Sequence, residues 1–181
     1  MANVFVFLTD GFEEIEALAT VDVLRRAQLA VQTVSLTGQL QVTGGHQVTV
    51  QADVLFEQAD FSAAQMLVVP GGTVKYAGHE GLKQRLLDFA RQGGKVAAIC
   101  ASPALLGSLG LLQDKNATCY PGFEQHLTGA RLQAGQAVVV DGLITTGRGP
   151  GLTLDFALAL VEQLAGPARR GEVAQALLLA H

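Results

Sequence analysis

Short apolar runs alternate with helical patterns along the chain. The runs are rich in Val, Ile and Leu, and they occupy residues 2–8, 31–36, 64–70 and 95–99. Apolar residues recur at helical spacing over 13–28, 79–92, a segment that starts near 103, 152–165 and 170–179. Continuous apolar strands separated by helices are typical of a parallel sheet that is covered on both faces. The pattern predicts one doubly wound α/β domain over residues 1–181.

Two further segments have the pattern of small hairpins. Residues 41–50 carry Gly44 and Gly45 at their centre, and residues 137–146 carry an Asp-Gly pair that begins at Asp141. Gly-Gly and Asp-Gly pairs are favoured in tight hairpin turns because these residues accept positive φ angles. We therefore expect a mostly parallel sheet with two small hairpins added to it.

The composition restricts the class of function. Hydrophobic residues make up 49% and charged residues 15%, which indicates a compact fold rather than a disordered chain. The net charge is −4 and the 12 basic residues form no stripe, so we expect no nucleic-acid partner. No apolar segment approaches the roughly 18 residues of a membrane span, so we expect no membrane partner.

The cysteine content bears on the redox compartment. The two cysteines, Cys100 and Cys119, are too few for a disulfide framework or a zinc site. The first residues lack the cationic flank and long apolar run of a signal peptide, and they are interpreted as a first strand. We therefore expect a reducing, cytoplasmic location.

One of the cysteines lies where an apolar strand runs directly into a predicted helix. In the stretch CASP, Cys100 ends the strand, Ser102 is placed to cap the helix, and Pro103 suits its first turn. Small residues around a nucleophile at such a joint are typical of a nucleophile elbow. A helix start favours thiolate, so we expect a lowered pKa for Cys100. The alternative is a small buried core residue, a common role of free cysteines.

The first helix carries an acid on its apolar side. At about 100° per residue, Glu16 shares a face with Thr20, Val23, Leu24 and Ala27. A buried carboxyl is costly unless it is protonated or paired. We interpret Glu16 as a hydrogen-bond donor to a thiolate or as a proton shuttle. Two other acids, Glu13 and Glu14, are explained by the dipole of the first helical turn.

Other residues at the carboxyl ends of the strands are candidates for the same site, because ligands of such sheets bind at that edge. Gly71 and Gly72 follow an apolar strand, and their N–H groups are candidate oxyanion donors, although a plain tight turn explains them equally well. Tyr120 and Arg148 are candidate site-lining residues. No histidine is adjacent to the elbow in sequence, so the usual partner of a nucleophilic cysteine is not identified.

Six motifs occur in order along nearly the whole chain: DGFEEIEA, VDVLRRA, LVVPGG, AAICASP, ATCYPG and TGRGPG. Together they resemble the ThiJ/PfpI superfamily, and most closely its branch of the parkinsonism-associated protein deglycase, the DJ-one branch. The resemblance implies a flavodoxin-like α/β sandwich and a homodimer. It also implies a reactive Cys100 that is hydrogen-bonded to a protonated Glu16, with backbone donors at Gly71, Gly72 and Ala101. We expect neither a metal nor a cofactor.

The resemblance also implies a function. Members of this branch protect against reactive dicarbonyls and oxidants, by glutathione-independent glyoxalase or protein deglycase activity and by oxidation of the cysteine to sulfinate. We therefore expect Cys100 to attack a small aldehyde or dicarbonyl substrate while Glu16 moves a proton. The alternative is a non-enzymatic redox sensor or redox-regulated chaperone that uses oxidation of Cys100.

The chain departs from related patterns at two positions. The human-type loop has a histidine before its proline, where this chain has Tyr120, so we expect slow glyoxalase turnover. The protease-like branch has a histidine directly after the cysteine, where this chain has Ala101, so peptidase activity is not expected. Glutamine amidotransferases need a later H-x-E pair, and no histidine here has a glutamate two positions on.

Two apolar residues lie on the otherwise polar side of the first helix. Ile15 and Leu18 are placed beside charged residues such as Arg25 and Arg26. Apolar residues in such surroundings are explained by a partner surface more readily than by solvent. We expect a twofold dimer that uses this helix and the hairpin of residues 41–50.

Overall fold

The computed structural model describes residues 3–179, and predictions that involve residues 1, 2, 180 and 181 lie outside this range. The strands in chain order are β1 (Asn3–Leu8), β2 (Ala30–Ser35), β3 (Gln41–Thr43), β4 (Thr49–Gln51), β5 (Val54–Leu55), β6 (Ala64–Val69), β7 (Lys95–Ile99), β8 (Asn116–Ala117), β9 (Arg131–Leu132), β10 (Val138–Asp141) and β11 (Ile144–Gly147). The α-helices are α1 (Glu14–Arg26), α2 (Glu80–Arg91), α3 (Pro103–Ser108) and α4 (Thr153–Ala176).

Seven of these strands form the main sheet, in the order β10-β11-β7-β6-β1-β2-β5. All neighbouring pairs are parallel except β10 and β11, which form the predicted hairpin. The five central parallel strands follow the 2-1-3-4-5 order of flavodoxin-like folds, in which the chain reverses its direction of winding beside the first strand. The predicted flavodoxin-like, mostly parallel sheet is therefore confirmed.

Each face of the sheet has its own hydrophobic core. Along β1, Phe5 and Phe7 belong to the core shared with α2 and α3, whereas Val4 and Val6 belong to the core shared with α1 and α4. Successive side chains of a strand point to opposite faces. Because both faces are covered by helices, nearly every position of β1 is buried, which explains its uninterrupted apolar run.

Differences from the sequence-based expectations concern short elements and one helix break. The hairpin of β3 and β4 forms, but its turn extends from Gly44 to Val48 and is longer than a Gly-Gly turn. The two helices predicted at the end of the chain are nearly continuous, interrupted only at Gly166, where φ is 85° and Pro167 follows. The two-residue strands β5, β8 and β9 are too short to leave a periodic signal. Within residues 3–179, no helix combines the length and apolarity needed to cross a bilayer.

Candidate functional site

The predicted site residues meet at one edge of the sheet. Glu16 follows β1, the pair Gly71 and Gly72 follows β6, and Cys100 follows β7. These three strands are neighbours, and β1 and β6 flank the point where the winding direction reverses. Ligands of open α/β sheets bind beyond the strand ends at such a point. The topology alone therefore brings these four residues close together.

Cys100 lies in a strained turn. Its φ is 66°, in the left-handed region, which costs a residue other than glycine about 1–3 kcal/mol. Two backbone hydrogen bonds hold the turn: the N–H of Cys100 donates to the carbonyl of Gly147 at 2.9 Å, and the N–H of Tyr120 donates to the carbonyl of Cys100 at 2.8 Å. This is the geometry of a nucleophile elbow, in which the side chain is presented at the strand end.

Two predictions concerned the residues after Cys100, and the structure confirms one of them and contradicts the other. Pro103 is the first residue of α3, as predicted. Ser102 makes no side-chain cap, because its own backbone is already helical, with φ −71° and ψ −21°, rather than extended. Its hydroxyl donates instead to the carbonyl of Pro70. Ser102 thus ties the elbow to the end of β6.

Gly71 fills a gap that accepts no side chain. A Cβ at this position would lie 2.6 Å from the Cβ of Cys100 and 2.6 Å from Oε2 of Glu16, well inside van der Waals contact. Its N–H donates to Oε2 of Glu16 at 2.8 Å. The expectation that this N–H faces the thiol as an oxyanion donor is therefore wrong, because the carboxyl uses it. Gly71 instead positions Glu16.

Two other backbone donors point to the sulfur. The N–H groups of Gly72 and Ala101 lie close to the sulfur of Cys100 and lower its pKa. Gly72 has a φ of 91°, and a Cβ there would lie 2.3 Å from the backbone nitrogen of Glu13. The close approach of these backbones requires glycine at this position. Gly72 and Ala101 are thus placed to stabilise negative charge at the sulfur.

Glu16 is fully buried, with 0% of its surface exposed, and its helix face is the predicted one. Oε2 accepts the hydrogen bond from Gly71, whereas Oε1 makes no hydrogen bond of good geometry with any residue in 3–179. Burial raises the pKa of Glu16 to about 7, although hydrogen bonding to Cys100 and Gly71 opposes the shift. Near neutral pH this carboxyl therefore exists in both protonation states.

The thiol and the carboxyl titrate as a pair. Burial, followed by the negative charge and the hydrogen bond of Glu16, raises the pKa of Cys100 to about 12. The expected lowering of the Cys100 pKa is therefore wrong, because burial and Glu16 together raise this pKa by more than the N–H groups of Ala101 and Gly72 lower it. Because the Glu16 carboxyl has a pKa of about 7, it can accept a proton from the thiol or return one near neutral pH.

The second thiol has a different environment. Cys119 is buried, and burial together with the charge of Glu124 raises its pKa to about 11, while Arg148 opposes this shift. Its φ lies outside the left-handed region. Among the described residues other than glycine, Cys100 and four others have a φ in that region. No backbone donor contributes to the pKa of Cys119, and the acid that acts on it, Glu124, is exposed rather than buried.

Tyr120 and Arg148 lie on one side of the elbow. They line a shallow groove of about 310 Å³ together with residues of the GRGPG loop such as Pro150. The ring of Tyr120 packs against Gly149, where a Cβ would lie 3.0 Å from the ring. Tyr120 is joined to the elbow through its backbone bond to Cys100. Both residues are therefore near the thiol, and their role in binding stays a prediction.

A hollow on the other side of the elbow was not apparent from the sequence. It is lined by Ala101 and Ser102 from the elbow and by Phe123 and His126 from a later turn. His126 is exposed to solvent. Its place beside the elbow depends on the path of the loop after β8, and no spacing or periodicity in the sequence specifies that path.

One group of side chains in residues 3–179 has the composition of a metal site. Ligand atoms of Glu13, Glu14 and His46 lie within 4.8 Å of one another. The carboxylates already accept hydrogen bonds, because Glu13 binds the N–H of Glu16 at 2.7 Å and Glu14 binds the N–H and the ring of His46 at 2.6 and 2.8 Å. These contacts fix the start of α1 and hold the β3–β4 hairpin against it.

Comparisons with known proteins cover almost the whole chain. The model of the DJ-1/PfpI family matches residues 2–163. Protein DJ-1 homolog B of Arabidopsis thaliana is 38% identical over 98% of this chain and 41% of its own length. Protein dj-1beta of Drosophila melanogaster is 35% identical over 99% of this chain and 98% of its own length. Glutathione-independent glyoxalase DJR-1.2 of Caenorhabditis elegans is 30% identical over 93% of this chain and 91% of its own length.

Solved structures show the same fold. The crystal structure of Drosophila melanogaster DJ-1beta superimposes with a TM-score of 0.93 at 35% identity, covering 99% of each chain. Oxidized DJ-1 of Toxoplasma gondii superimposes with a TM-score of 0.92 at 32% identity, covering 100% of each chain. The chain spans less than half the length of its Arabidopsis relatives, 41% and 46% of the two.

Proposed function

The chain belongs to the DJ-1/PfpI family, and from this premise we propose that it converts small α-oxoaldehydes into 2-hydroxy acids without glutathione, using Cys100 as the nucleophile. The observation that carries the proposal is the pairing of a strained, donor-surrounded thiol with a buried carboxyl whose pKa is about 7. The similarity of the chain to glutathione-independent glyoxalase DJR-1.2 of Caenorhabditis elegans supports the reaction class.

The reaction begins with addition of the sulfur to the aldehyde carbon. A carbon–sulfur bond forms, the carbonyl π pair moves to oxygen, and Glu16 takes the proton of the thiol. A base works best when its pKa lies near the working pH, and Glu16 meets this condition. As the proton leaves, the N–H groups of Gly72 and Ala101 stabilise the charge that develops on sulfur.

The resulting hemithioacetal rearranges without an external oxidant. Glu16 returns its proton to the alkoxide and then removes the hydrogen of the former aldehyde carbon as a proton, giving an enediolate. Glu16 delivers this proton to the adjacent carbon, and the hydroxyl proton of the former aldehyde carbon passes to the neighbouring oxygen, which produces a 2-hydroxyacyl thioester on Cys100. Water cleaves this thioester, which releases the 2-hydroxy acid and restores the thiol. The aldehyde carbon is oxidised and its neighbour is reduced, so the net change is addition of one water.

Lactate formation from methylglyoxal tests the proposal. Wild type should form lactate in a reaction that is abolished in Cys100→Ser and reduced about 100-fold or more in a variant that lacks the base. The matched control is Cys119→Ser, which removes the other buried thiol and should retain the rate. Because Tyr120 stands where the human-type loop has a histidine, we expect a slow reaction. Lactate formation at equal rates in wild type and Cys100→Ser would refute the proposal.

A redox sensor or redox-regulated chaperone is the second candidate function. The same two backbone donors that surround the sulfur also suit the oxygens of a sulfinate, and the relative from Toxoplasma gondii is described as oxidized. Dilute peroxide should then add two oxygens to Cys100 before it modifies Cys119, as read by mass spectrometry. Complete oxidation of Cys100 together with no lactate formation by the reduced protein would favour this function over the enzymatic one.

We also propose that the chain acts as a cytoplasmic homodimer. Ile15 is 55% exposed and Leu18 is 37% exposed on α1, and Val48 is 47% exposed on the adjoining hairpin turn. Exposed apolar side chains on two neighbouring elements are more stable when a second copy covers them. Light scattering at micromolar concentration tests the assembly, and Leu18→Asp should shift the mass towards the monomer.

A further inference from the structure

The hollow beside the elbow has a volume of about 260 Å³. Three segments enclose it: the turn that follows β6, the elbow with α3, and the turn near His126. Most of its wall is apolar and is formed by Val74, Tyr76, Ala77, Ala104, Leu105 and Phe123. A concave, mostly apolar surface with a few polar groups at its margin is typical of a small-molecule site.

The hollow adjoins the proposed reaction centre. The N–H groups of Gly72 and Ala101 lie beside the sulfur of Cys100 and lower its pKa. Thr73, which directly follows Gly72, lines the hollow, and so do Ala101 and Ser102, which directly follow Cys100. The hollow is therefore bordered by residues that adjoin the thiol and its donors in the chain.

The volume of the hollow is much larger than the volume that the methyl group of methylglyoxal would fill. An engineered apolar cavity of about 150 Å³ holds a benzene ring, whereas the hollow here has about 260 Å³. A methyl group would leave most of this space unoccupied and most of the apolar wall in contact with water. A phenyl or branched alkyl group would cover that wall and remove it from water.

We propose that this hollow is the substituent pocket of the enzyme, and that its preferred substrates are α-oxoaldehydes with an aryl or branched apolar substituent. The inference rests on the proposed function and names its substrate class. The groove on the other side of the elbow is the less suitable place, because it is shallower and would leave an apolar group more exposed to water.

The test compares phenylglyoxal, which would yield mandelate, with methylglyoxal, which would yield lactate. Ala104→Phe and Val74→Trp each add a large side chain to the wall of the hollow. Ala104 lies in α3, and Val74 is an exposed residue. The ratio of kcat/KM for phenylglyoxal to that for methylglyoxal should fall about tenfold or more in both variants. Ala168→Phe, an equally large change at an exposed helical position outside the hollow, should leave the ratio at the wild-type value. A ratio that stays constant in the folded Ala104→Phe and Val74→Trp proteins would overturn the inference.

Direct binding separates this inference from the proposed function. Mandelate and lactate are titrated against wild type, Ala104→Phe and Ala168→Phe by saturation-transfer NMR, which needs no turnover. Binding of mandelate that is tighter than that of lactate, and that is lost only in Ala104→Phe, supports the pocket even if no aldehyde is consumed. Turnover that depends on Cys100, combined with equal binding of mandelate by all three proteins, would retain the enzyme and reject the pocket.

Discussion

Two glutamates in the first turn of α1, Glu14 and Glu16, differ in their hydrogen-bond partners. Glu14 faces the β3–β4 hairpin and accepts hydrogen bonds from the N–H of His46 at 2.6 Å and from its ring at 2.8 Å. Glu16 is two residues further on and faces the elbow, where Gly71 donates to Oε2 and Oε1 has no partner of good geometry within residues 3–179. Both residues are buried, but Glu16 is completely enclosed whereas Glu14 keeps 9% of its surface exposed, so they differ in depth as well as in hydrogen-bond partners.

The difference lies in how each carboxylate replaces the water that it loses. Burial raises the pKa of Glu14, but the hydrogen bonds from His46 outweigh it, and the net pKa is lowered. For Glu16, burial outweighs the hydrogen bonding to Cys100 and Gly71, and the pKa rises to about 7. An acid with enough donors stays ionised and fixes structure, whereas an acid with too few donors binds and releases protons near neutral pH.

The largest expected effect is on the rate. Glu16→Gln keeps the size of the side chain but removes the base, so kcat/KM for methylglyoxal should fall about 100-fold or more. Glu14→Gln makes the same chemical change on the hairpin side and should alter the rate by less than about threefold. Lactate assays on both variants measure the difference. Equal losses would show that the two acids have the same role.

The next effect is on stability as a function of pH. The pKa of Glu16 is about 7 in the folded protein and 4.5 as the unperturbed value. Because the folded value is the higher, the stabilising contribution is fully present below pH 4.5 and is lost as the pH rises through 7. Relative to Glu16→Gln, wild type should lose up to about 3 kcal/mol of its free energy of unfolding over this range.

Denaturant unfolding of both proteins at pH 5 and pH 8 measures this change. Glu14→Gln serves as the comparison, because the pKa of Glu14 is shifted in the opposite direction. A pH dependence that is identical in wild type and Glu16→Gln would mean that Glu16 titrates near its ordinary value in the folded protein.

A smaller effect is expected from the backbone contact that positions Glu16. Gly71→Ala would place a Cβ 2.6 Å from both Cys100 and Glu16, and overpacking of this kind costs about 1–3 kcal/mol. Gly78→Ala is the matched control, since a Cβ there would meet nothing within 4 Å. Thermal unfolding should separate the two variants. A Gly71→Ala protein with wild-type stability and rate would show that the contact is readily relieved.

The smallest expected effect is on the pKa of His46, in the turn between β3 and β4. The contact with Glu14 raises the pKa of His46, so Glu14→Gln should lower the pKa of that imidazole, as followed by NMR titration. In wild type, the His46 contribution is lost as the pH rises through its raised pKa, and the Glu14 contribution is lost as the pH falls through its lowered pKa. The contact is therefore strongest between about pH 4.5 and 6.5. Because the side chain of His46 is 76% exposed, the change in overall stability should be small.

Much of the fold and part of the site could be predicted from the sequence. The apolar runs that became β1, β6 and β7 are buried on both faces, and such burial leaves a continuous signal that is read without knowing the partners. The position of Glu16 on the buried side of α1 likewise followed from the 3.6-residue period of the helix. The elbow at Cys100 was recognised because strand, small residues and proline are contiguous in the chain.

Other features were decided only by the tertiary structure. The N–H of Gly71 binds a carboxyl 55 positions away in sequence, so its direction cannot be read from its neighbours. The pKa of Cys100 is raised, whereas the helix start predicts a lowered value. The dominant causes are burial and Glu16, and both depend on segments distant from Cys100 in the sequence. The hollow near His126 is likewise enclosed by three distant segments. Periodicity and turn chemistry are local properties of the chain, whereas donor partners, desolvation and cavities arise only when the segments pack together.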